Sequence, residues 1–306
     1  MDSAIARAGN TATTRNPSLP AAIDASRHDY VSPLGGRIHY YADTSASGRP
    51  LVLIHSINAA PSAFEMKPLF DHYRAQRPVF AMDLPGFGHS DRSNRRYSPE
   101  LYAGVIAEFL EQVVKSRADL VAFSLGCEFA ARATLMKPEL VASLALLSPT
   151  GFNIRGLPTG KAAERAHKAL SVPVINDGLF GLLTTRTSIK YFYNQVFKGA
   201  IPPGLVDYAH ATTHQPGAKY APLYFLSGQL FTPKAGATLY GKLTQPVLVV
   251  YDQDPNIDFH ELPGFLSRHP GWRAEQLTPT RGMPQWEKPA ETAAAIDRFW
   301  ATLKTD

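Results

Sequence analysis

The chemistry-bearing centre of this chain is Ser124, set in the pentapeptide Ala122-Phe123-Ser124-Leu125-Gly126. Before it, Asp119-Leu120-Val121-Ala122-Phe123 reads as a short buried strand. After it, Glu128-Phe129-Ala130-Ala131-Arg132-Ala133 opens a helix. A serine at a strand-to-helix turn with small residues two positions to either side matches the nucleophile-elbow pattern G-x-S-x-G, with alanine in the first slot. The small residues matter because strand and helix backbones nearly touch at such a turn. The turn would lift the hydroxyl above a sheet and leave nearby backbone N–H groups free. A serine hydroxyl is a poor nucleophile until a base, usually an imidazole oriented by a carboxylate, takes its proton. The rest of the chain is therefore read for a base, an acid and donors to a developing oxyanion.

The elements that would hold such a site follow in order. Tyr30-Val31 and Arg37–Tyr41 predict two strands joined by a turn at Pro33-Leu34-Gly35-Gly36. Pro50-Leu51-Val52-Leu53-Ile54-His55 is a continuous apolar run, as expected for a strand covered on both faces. A helix is predicted from Ser62 to Gln76, then a strand over Pro78–Asp83 that ends in the turn Leu84-Pro85-Gly86-Phe87-Gly88-His89-Ser90. Leu101, Val105, Ile106, Phe109, Leu110 and Val113 mark one face of an amphipathic helix. Further strands are predicted at Ser143–Ser148, after Pro246 at Val247–Tyr251, and at Trp272–Leu277. Thr292, Ile296, Phe299, Trp300 and Leu303 mark a closing helix. Alternating strands and helices imply an α/β fold with a mostly parallel sheet and helices on both faces.

One segment, from Gly151 to about Leu243, breaks that alternation. It carries aromatics such as Phe180, Tyr191, Phe192, Tyr193, Tyr208 and Tyr224 at helix-like spacing with proline breaks. Packing of a helical insertion against the sheet accounts for most of these rings. A lid over the elbow, with a minority of the rings facing a ligand, is the second role expected of them. The expected organisation is an unstructured tail over residues 1–27, a core over 28–150 and 244–306, and a helical insertion over 151–243.

At 306 residues and 44% hydrophobic, the chain can bury a substantial core. A net charge of +5 is mild, and the group Arg92, Arg95 and Arg96 reads as solvated surface, so no nucleic-acid partner is expected. The single cysteine, Cys127, excludes an intramolecular disulfide, fits a reducing compartment and reads as a small packing residue. No apolar stretch approaches the roughly 18–20 residues of a membrane span. The opening lacks the apolar core of an export signal, and a cytoplasmic protein is expected. No Walker-type phosphate loop or dinucleotide fingerprint occurs, and no cofactor or metal is expected.

These landmarks together resemble the α/β-hydrolase superfamily over about Tyr30 to Leu303. His55-Ser56-Ile57-Asn58 is similar to the family's His-Gly-x-x oxyanion loop, with serine in place of glycine. Asp83-Leu84-Pro85-Gly86-Phe87-Gly88-His89-Ser90 is similar to the segment Asp-x-Pro-Gly-x-Gly-x-Ser, and the insertion occupies the place of the family's cap. The resemblance implies Ser124 as nucleophile and the Ile57 and Leu125 N–H groups as oxyanion donors. It also implies an acid in the loop Tyr251-Asp252-Gln253-Asp254-Pro255-Asn256, with Asp254 the first choice and Asp252 the reserve.

The family histidine falls in a segment of the form Gly-His-x-Pro-x-x-Glu-x-Pro. Here Arg281-Gly282-Met283-Pro284-Gln285-Trp286-Glu287-Lys288-Pro289 keeps both prolines and the glutamate but has Gly282 at the histidine position. Glycine carries no titratable group. Of the 10 histidines, His55 and His89 fall in landmark segments with structural roles. His260 and His269 follow the Asp254 loop, and His210 and His214 lie in the insertion; each reads first as a solvated residue. Loss of one triad member costs about four to six orders of magnitude in turnover. The expected function is a hydrolase of an ester, amide or related bond in a mostly apolar small molecule, with an atypical or missing base. The alternatives are a catalytically retired binding module for a small molecule or protein and, third, a lyase-like use of the oxyanion pocket.

Overall fold

The computed structural model describes residues 18–152 and 160–303. Residues 1–17 of the expected tail, 153–159 of the expected insertion and 304–306 lie outside the described residues. The strands are β1 (Ser26–Ser32), β2 (Gly36–Asp43), β3 (Leu51–Ile54), β4 (Val79–Met82), β5 (Ala118–Phe123), β6 (Val141–Leu147), β7 (Val247–Tyr251) and β8 (Trp272–Gln276). They form one sheet in the order β1-β2-β4-β3-β5-β6-β7-β8. β1 and β2 pair antiparallel, as do β2 and β4, and every pairing from β4 to β8 is parallel.

Helices α1 (Lys67–Tyr73), α2 (Pro99–Phe109) and α3 (Gly126–Met136) follow β3, β4 and β5. Between β6 and β7 lie α4 (Lys161–Leu170), α5 (Pro173–Leu183), α6 (Arg186–Val196), α7 (Leu205–Thr213), α8 (Tyr220–Leu226) and α9 (Ala235–Thr238). The chain closes with α10 (Leu262–Leu266), α11 (Pro284–Glu287) and α12 (Pro289–Ala301).

The period-two alternation of a strand divides each central strand between two cores. Val52, Ile54, Leu120, Ala122, Leu144 and Leu146 face a core with Tyr102 and Phe109 of α2 and Phe129 of α3. Leu51, Leu53, Val121, Phe123, Ala145 and Leu147 face the opposite core, with Leu69, Phe70 and Tyr73 of α1 and Ile296 and Phe299 of α12. Burial on both faces explains why these strands read as unbroken apolar runs. Each buried Leu or Val contributes about 1.5–3 kcal/mol, so the centre of the sheet is the anchored part of the molecule.

Three expectations are corrected by the packing. The expected tail is too long: Leu19, Ala22 and Ile23 are buried in the core beside α1 and α12, and β1 begins at Ser26. The helix expected over Ser62–Gln76 divides into a 3-10 turn, Ala63–Met66, capped by Ser62, and the shorter α1. Arg92 is not solvated surface. Its guanidinium donates to the carbonyl (3.0 Å) and hydroxyl (2.9 Å) of Thr212 in α7 and to the Gly88 carbonyl, pinning the insertion to the turn after β4. A partner so remote in sequence leaves no local mark.

The insertion is held to α3 as well. Glu128, buried in the first turn of α3, accepts from the Thr150 hydroxyl at the start of the insertion and from the Thr232 N–H (2.7 Å) near its end. Cys127 is buried, with its Sγ 3.2 Å from the Ala122 carbonyl, in keeping with a packing role. Tyr191 and Phe192 of α6 face solvent, whereas Tyr208 is buried. No helix of the described residues is long and apolar enough to cross a membrane.

A close main-chain contact lies at Gly126, the first residue of α3, where an added Cβ would overlap the His55 carbonyl oxygen. Main chain cannot yield as a flexible side chain does. Gly126→Ala should therefore lower stability by about 1–3 kcal/mol, read as a reduced urea midpoint at unchanged slope. An unaltered midpoint would show that the two segments part freely.

Candidate active site

β3, β5, β6 and β7 all point the same way, and the residues expected to carry chemistry leave their C-terminal ends. Ile54 pairs with Ala122, so the loop His55-Ser56-Ile57 and the turn Phe123-Ser124-Leu125 emerge from adjacent strands. The contact of Gly126 with His55 presses them together. Ser124 has φ +51°, a left-handed conformation that strains a residue with a side chain, and its N–H donates to the Leu147 carbonyl at 2.9 Å. Such strain costs about 1–3 kcal/mol and persists only where surrounding structure enforces it. Ser124 remains part-exposed in an otherwise buried stretch. Neither the Ile57 nor the Leu125 N–H donates a hydrogen bond among the described residues.

The loop carrying Ile57 is braced from below by Glu65. The Ser56 N–H (2.9 Å), the Ser56 hydroxyl (3.0 Å) and the Asn58 side-chain amide (3.1 Å) all donate to its carboxylate. Burial, opposed in part by these donors, pushes the Glu65 carboxyl up to about 7. Sequence reasoning missed Glu65. The available signals were a lone acid in the apolar stretch Ala63-Phe64-Glu65-Met66 and a serine where the family loop has glycine.

Asp254 lies in the loop after β7. Its Oδ1 accepts from the N–H groups of Asn256 (2.7 Å) and Ile257 (3.1 Å). Its Oδ2 faces Gly282, where an added Cβ would stand 3.1 Å from that oxygen. Burial raises the Asp254 carboxyl to about 6, the two backbone donors oppose the rise, and nearby Glu287 adds to it. The structure thus brings together the expected acid and the position from which a histidine would address it.

Asp252 is otherwise employed. Its carboxylate is buried and accepts from Gln276 (2.8 Å), Thr278 (3.0 Å) and the Thr280 N–H (2.9 Å), which tie β7 to the segment after β8. Asp252, the reserve acid of the sequence reading, thus has a structural contribution through these three bonds.

Gly282 has φ +139°, and the Cβ that meets Asp254 would also lie 3.3 Å from Val196 Cβ in α6. Glu287 fixes the loop around it. Glu287 Oε2 accepts the N–H groups of Arg281 (2.7 Å) and Met283 (3.3 Å), and its Oε1 accepts the Lys198 N–H (2.9 Å) just beyond α6. The loop geometry and the neighbouring insertion therefore both resist a side chain at 282.

No imidazole among the described residues is hydrogen-bonded to Ser124 Oγ. His55 is buried, with Nδ1 2.6 Å from the Ser56 carbonyl and Nε2 accepting the Leu84 N–H at 2.9 Å. His89 reaches the Pro20 carbonyl at 3.0 Å. His210 and His214 stack at 4.0 Å, and His214 Nδ1 lies 2.7 Å from the His210 carbonyl. His260 is exposed, and His269 stacks on Phe265 at 3.9 Å.

A shallow surface hollow adjoins the loop after β3. It is bounded by Ala59–Pro61, by Gly86 and Phe87, and by Arg92 with Thr212, Thr213 and Ala218 from the insertion; Ser124 is not in its lining.

This architecture agrees with the comparisons to known proteins. The model of the alpha/beta hydrolase family matches residues 51–295, and the chain belongs to that family. An uncharacterized hydrolase of Bacillus subtilis, YugF, is 33% identical over 136 residues, covering 42% of this chain and 49% of that protein. The esterase Rv0045c of Mycobacterium tuberculosis is 39% identical over 94 residues, covering 30% of this chain and 32% of its own. The chain thus matches half or less of the length of these relatives. Among solved structures, a probable hydrolytic enzyme from Pseudomonas aeruginosa shares the fold with a TM-score of 0.73 at 18% identity, covering 92% of this chain and 96% of that one. A thermophilic esterase from Thermogutta terrifontis does so with a TM-score of 0.69 at 16% identity, covering 92% and 100%.

Two measurements test the site as described. Gly282→His should cost about 1–3 kcal/mol of stability, from the disfavoured φ and the approach of Val196; an equal or higher denaturation midpoint would refute the crowding. Asp254 has a folded-state pKa above its free value, so folding takes up a proton and stability falls as pH rises from about 4 to about 6. Asp254→Asn removes that loss and keeps the Oδ1 acceptor. It should gain about 1 kcal/mol above pH 6, solvent at the exposed edge softening the penalty, and nothing at pH 3. A variant equally destabilised at both pH values would count against this account.

Proposed function

We propose that this protein is a serine hydrolase that cleaves an ester or related acyl bond of a small molecule, with Ser124 as the attacking nucleophile. One observation carries the reading. The Ser124 hydroxyl stands on a strained turn at the C-terminal edge of a parallel sheet, near two backbone N–H groups, of Ile57 and Leu125, that donate no hydrogen bond among the described residues. Attack of Oγ on a carbonyl carbon would place negative charge on the carbonyl oxygen, and these donors would stabilise it. The hydrolases and the esterase among the relatives support this reading over that of a binding module.

The proton of Ser124 has no imidazole acceptor at the usual place. Asp254 keeps the position of an orienting carboxylate, but toward Gly282 it faces main chain. Acyl transfer would then rely on the strained nucleophile and the oxyanion donors. Activated esters, whose leaving groups depart without protonation, would be the substrates best served. The helices between β6 and β7 would act as a cap over this edge of the sheet.

A fluorophosphonate probe should label Ser124, and Ser124→Ala should abolish that labelling in folded protein. Turnover of a p-nitrophenyl ester should lie about four orders of magnitude below that of a serine hydrolase with its imidazole. Failure of the folded wild-type protein to react with the probe would overturn the nucleophile assignment.

A further inference from the structure

Glu65 is a buried carboxylate, 4% exposed, with no Lys or Arg ion pair among the described residues. An isolated buried charge is costly unless donors satisfy it, and those donors are specific here. They are the main chain and side chain of Ser56 and the side chain of Asn58, the two residues that flank Ile57. Asn58 also donates to Ser56 Oγ (2.9 Å), and its Oδ1 accepts the Ala60 N–H (2.7 Å), so residues 56–60 are held as a unit. Glu65 is itself fixed from the far side. Its carbonyl accepts from Trp286 Nε1 (2.9 Å) and Gln285 Nε2 (3.4 Å), next to the loop of Gly282.

The geometry points to Glu65 as a positioning residue whose ionised form aims the Ile57 N–H at the oxyanion position and whose protonation releases that loop. This rests on the reading of Ile57 as an oxyanion donor. All three contacts are donations into the carboxylate, and a carboxylate is acceptor-only. A protonated carboxyl loses its charge; the Ser56 hydroxyl, 3.0 Å from Oε1, would turn to accept the new O–H, and the donations from the Ser56 N–H and the Asn58 amide would weaken from charge-assisted to neutral bonds, loosening the clamp. The other titratable groups bordering the clamp are Tyr193 of α6, whose phenol burial holds protonated, the neutral His55 ring and the Asp83 carboxylate, which accepts the Ala63 N–H at 2.8 Å. None of them supplies a compensating positive charge. With the Glu65 carboxyl raised to about 7, the switch falls near neutral pH.

The test follows the backbone amide of Ile57 by ¹⁵N–¹H NMR in the unsubstituted protein from about pH 5 to about pH 9. A shift with a midpoint near 7 is expected, together with faster amide exchange of residues 55–60 on the acidic side after correction for intrinsic rates. In Glu65→Gln the Ile57 resonance should no longer titrate through that midpoint. Fluorophosphonate labelling of Ser124, rising through the same midpoint in wild type, should become pH-independent and about ten-fold slower. An Ile57 amide that does not titrate in the folded wild-type protein, or that titrates unchanged in Glu65→Gln, overturns the proposal. If Ile57 titrates as expected but Ser124 never labels, the clamp stands and the nucleophile assignment falls.

Discussion

Residue 126 has no space for a side chain, because the His55 carbonyl oxygen occupies the place a Cβ would take. This close approach brings the first turn of α3 against the end of β3 and leaves Ser124 no relaxed conformation between them. The positive φ of Ser124, the unfilled N–H of Leu125 and the nearness of the Ile57 loop all follow from it. Two apolar cores hold the contact closed from either side of the sheet, and the burial they provide sustains the strain at Ser124. The site is accordingly a property of the sheet's centre rather than of flexible loops.

Carboxylates then arrange what the sheet positions. Glu65 grips the residues flanking Ile57, Glu287 grips those flanking Gly282, and Glu128 joins the two ends of the insertion to α3. Among the described residues none of these clamps has a lysine or arginine ion pair; backbone, hydroxyl and side-chain amide donors satisfy them instead. Glu65 and Glu128 weigh against folding, since burial favours their neutral forms, yet each clamp fixes a loop that a hydrophobic contact would leave free to slide. The buried Thr212 and Arg92 join the insertion to the core in the same polar manner.

The sequence made the central strands readable because burial on both faces leaves unbroken apolar runs, and it made the elbow readable because the turn requires small residues at fixed offsets. The register after β7 pointed to Asp254, and the structure sets its carboxylate against Gly282. What escaped were interactions whose partners are distant along the chain. Glu65 looks like a surface acid at a helix start, Arg92 like one of a solvated group, and Leu19 and Ile23 like part of a polar tail. Only tertiary packing gives each its role, and Asp252 differs from Asp254 through its three donors at the end of β8 and just beyond it, which only the folded chain brings to it.

The crowding at Gly282 has a consequence for the history open to this chain. Reinstating an imidazole there would need a different backbone dihedral at 282 and relief from Val196, a residue on a helix encoded far upstream. A single codon change therefore meets a fitness valley: the intermediate is less stable before any catalytic advantage accrues. Routes to faster turnover from this starting point are more accessible through a proton acceptor brought by the substrate or placed elsewhere on the rim than through an imidazole at 282.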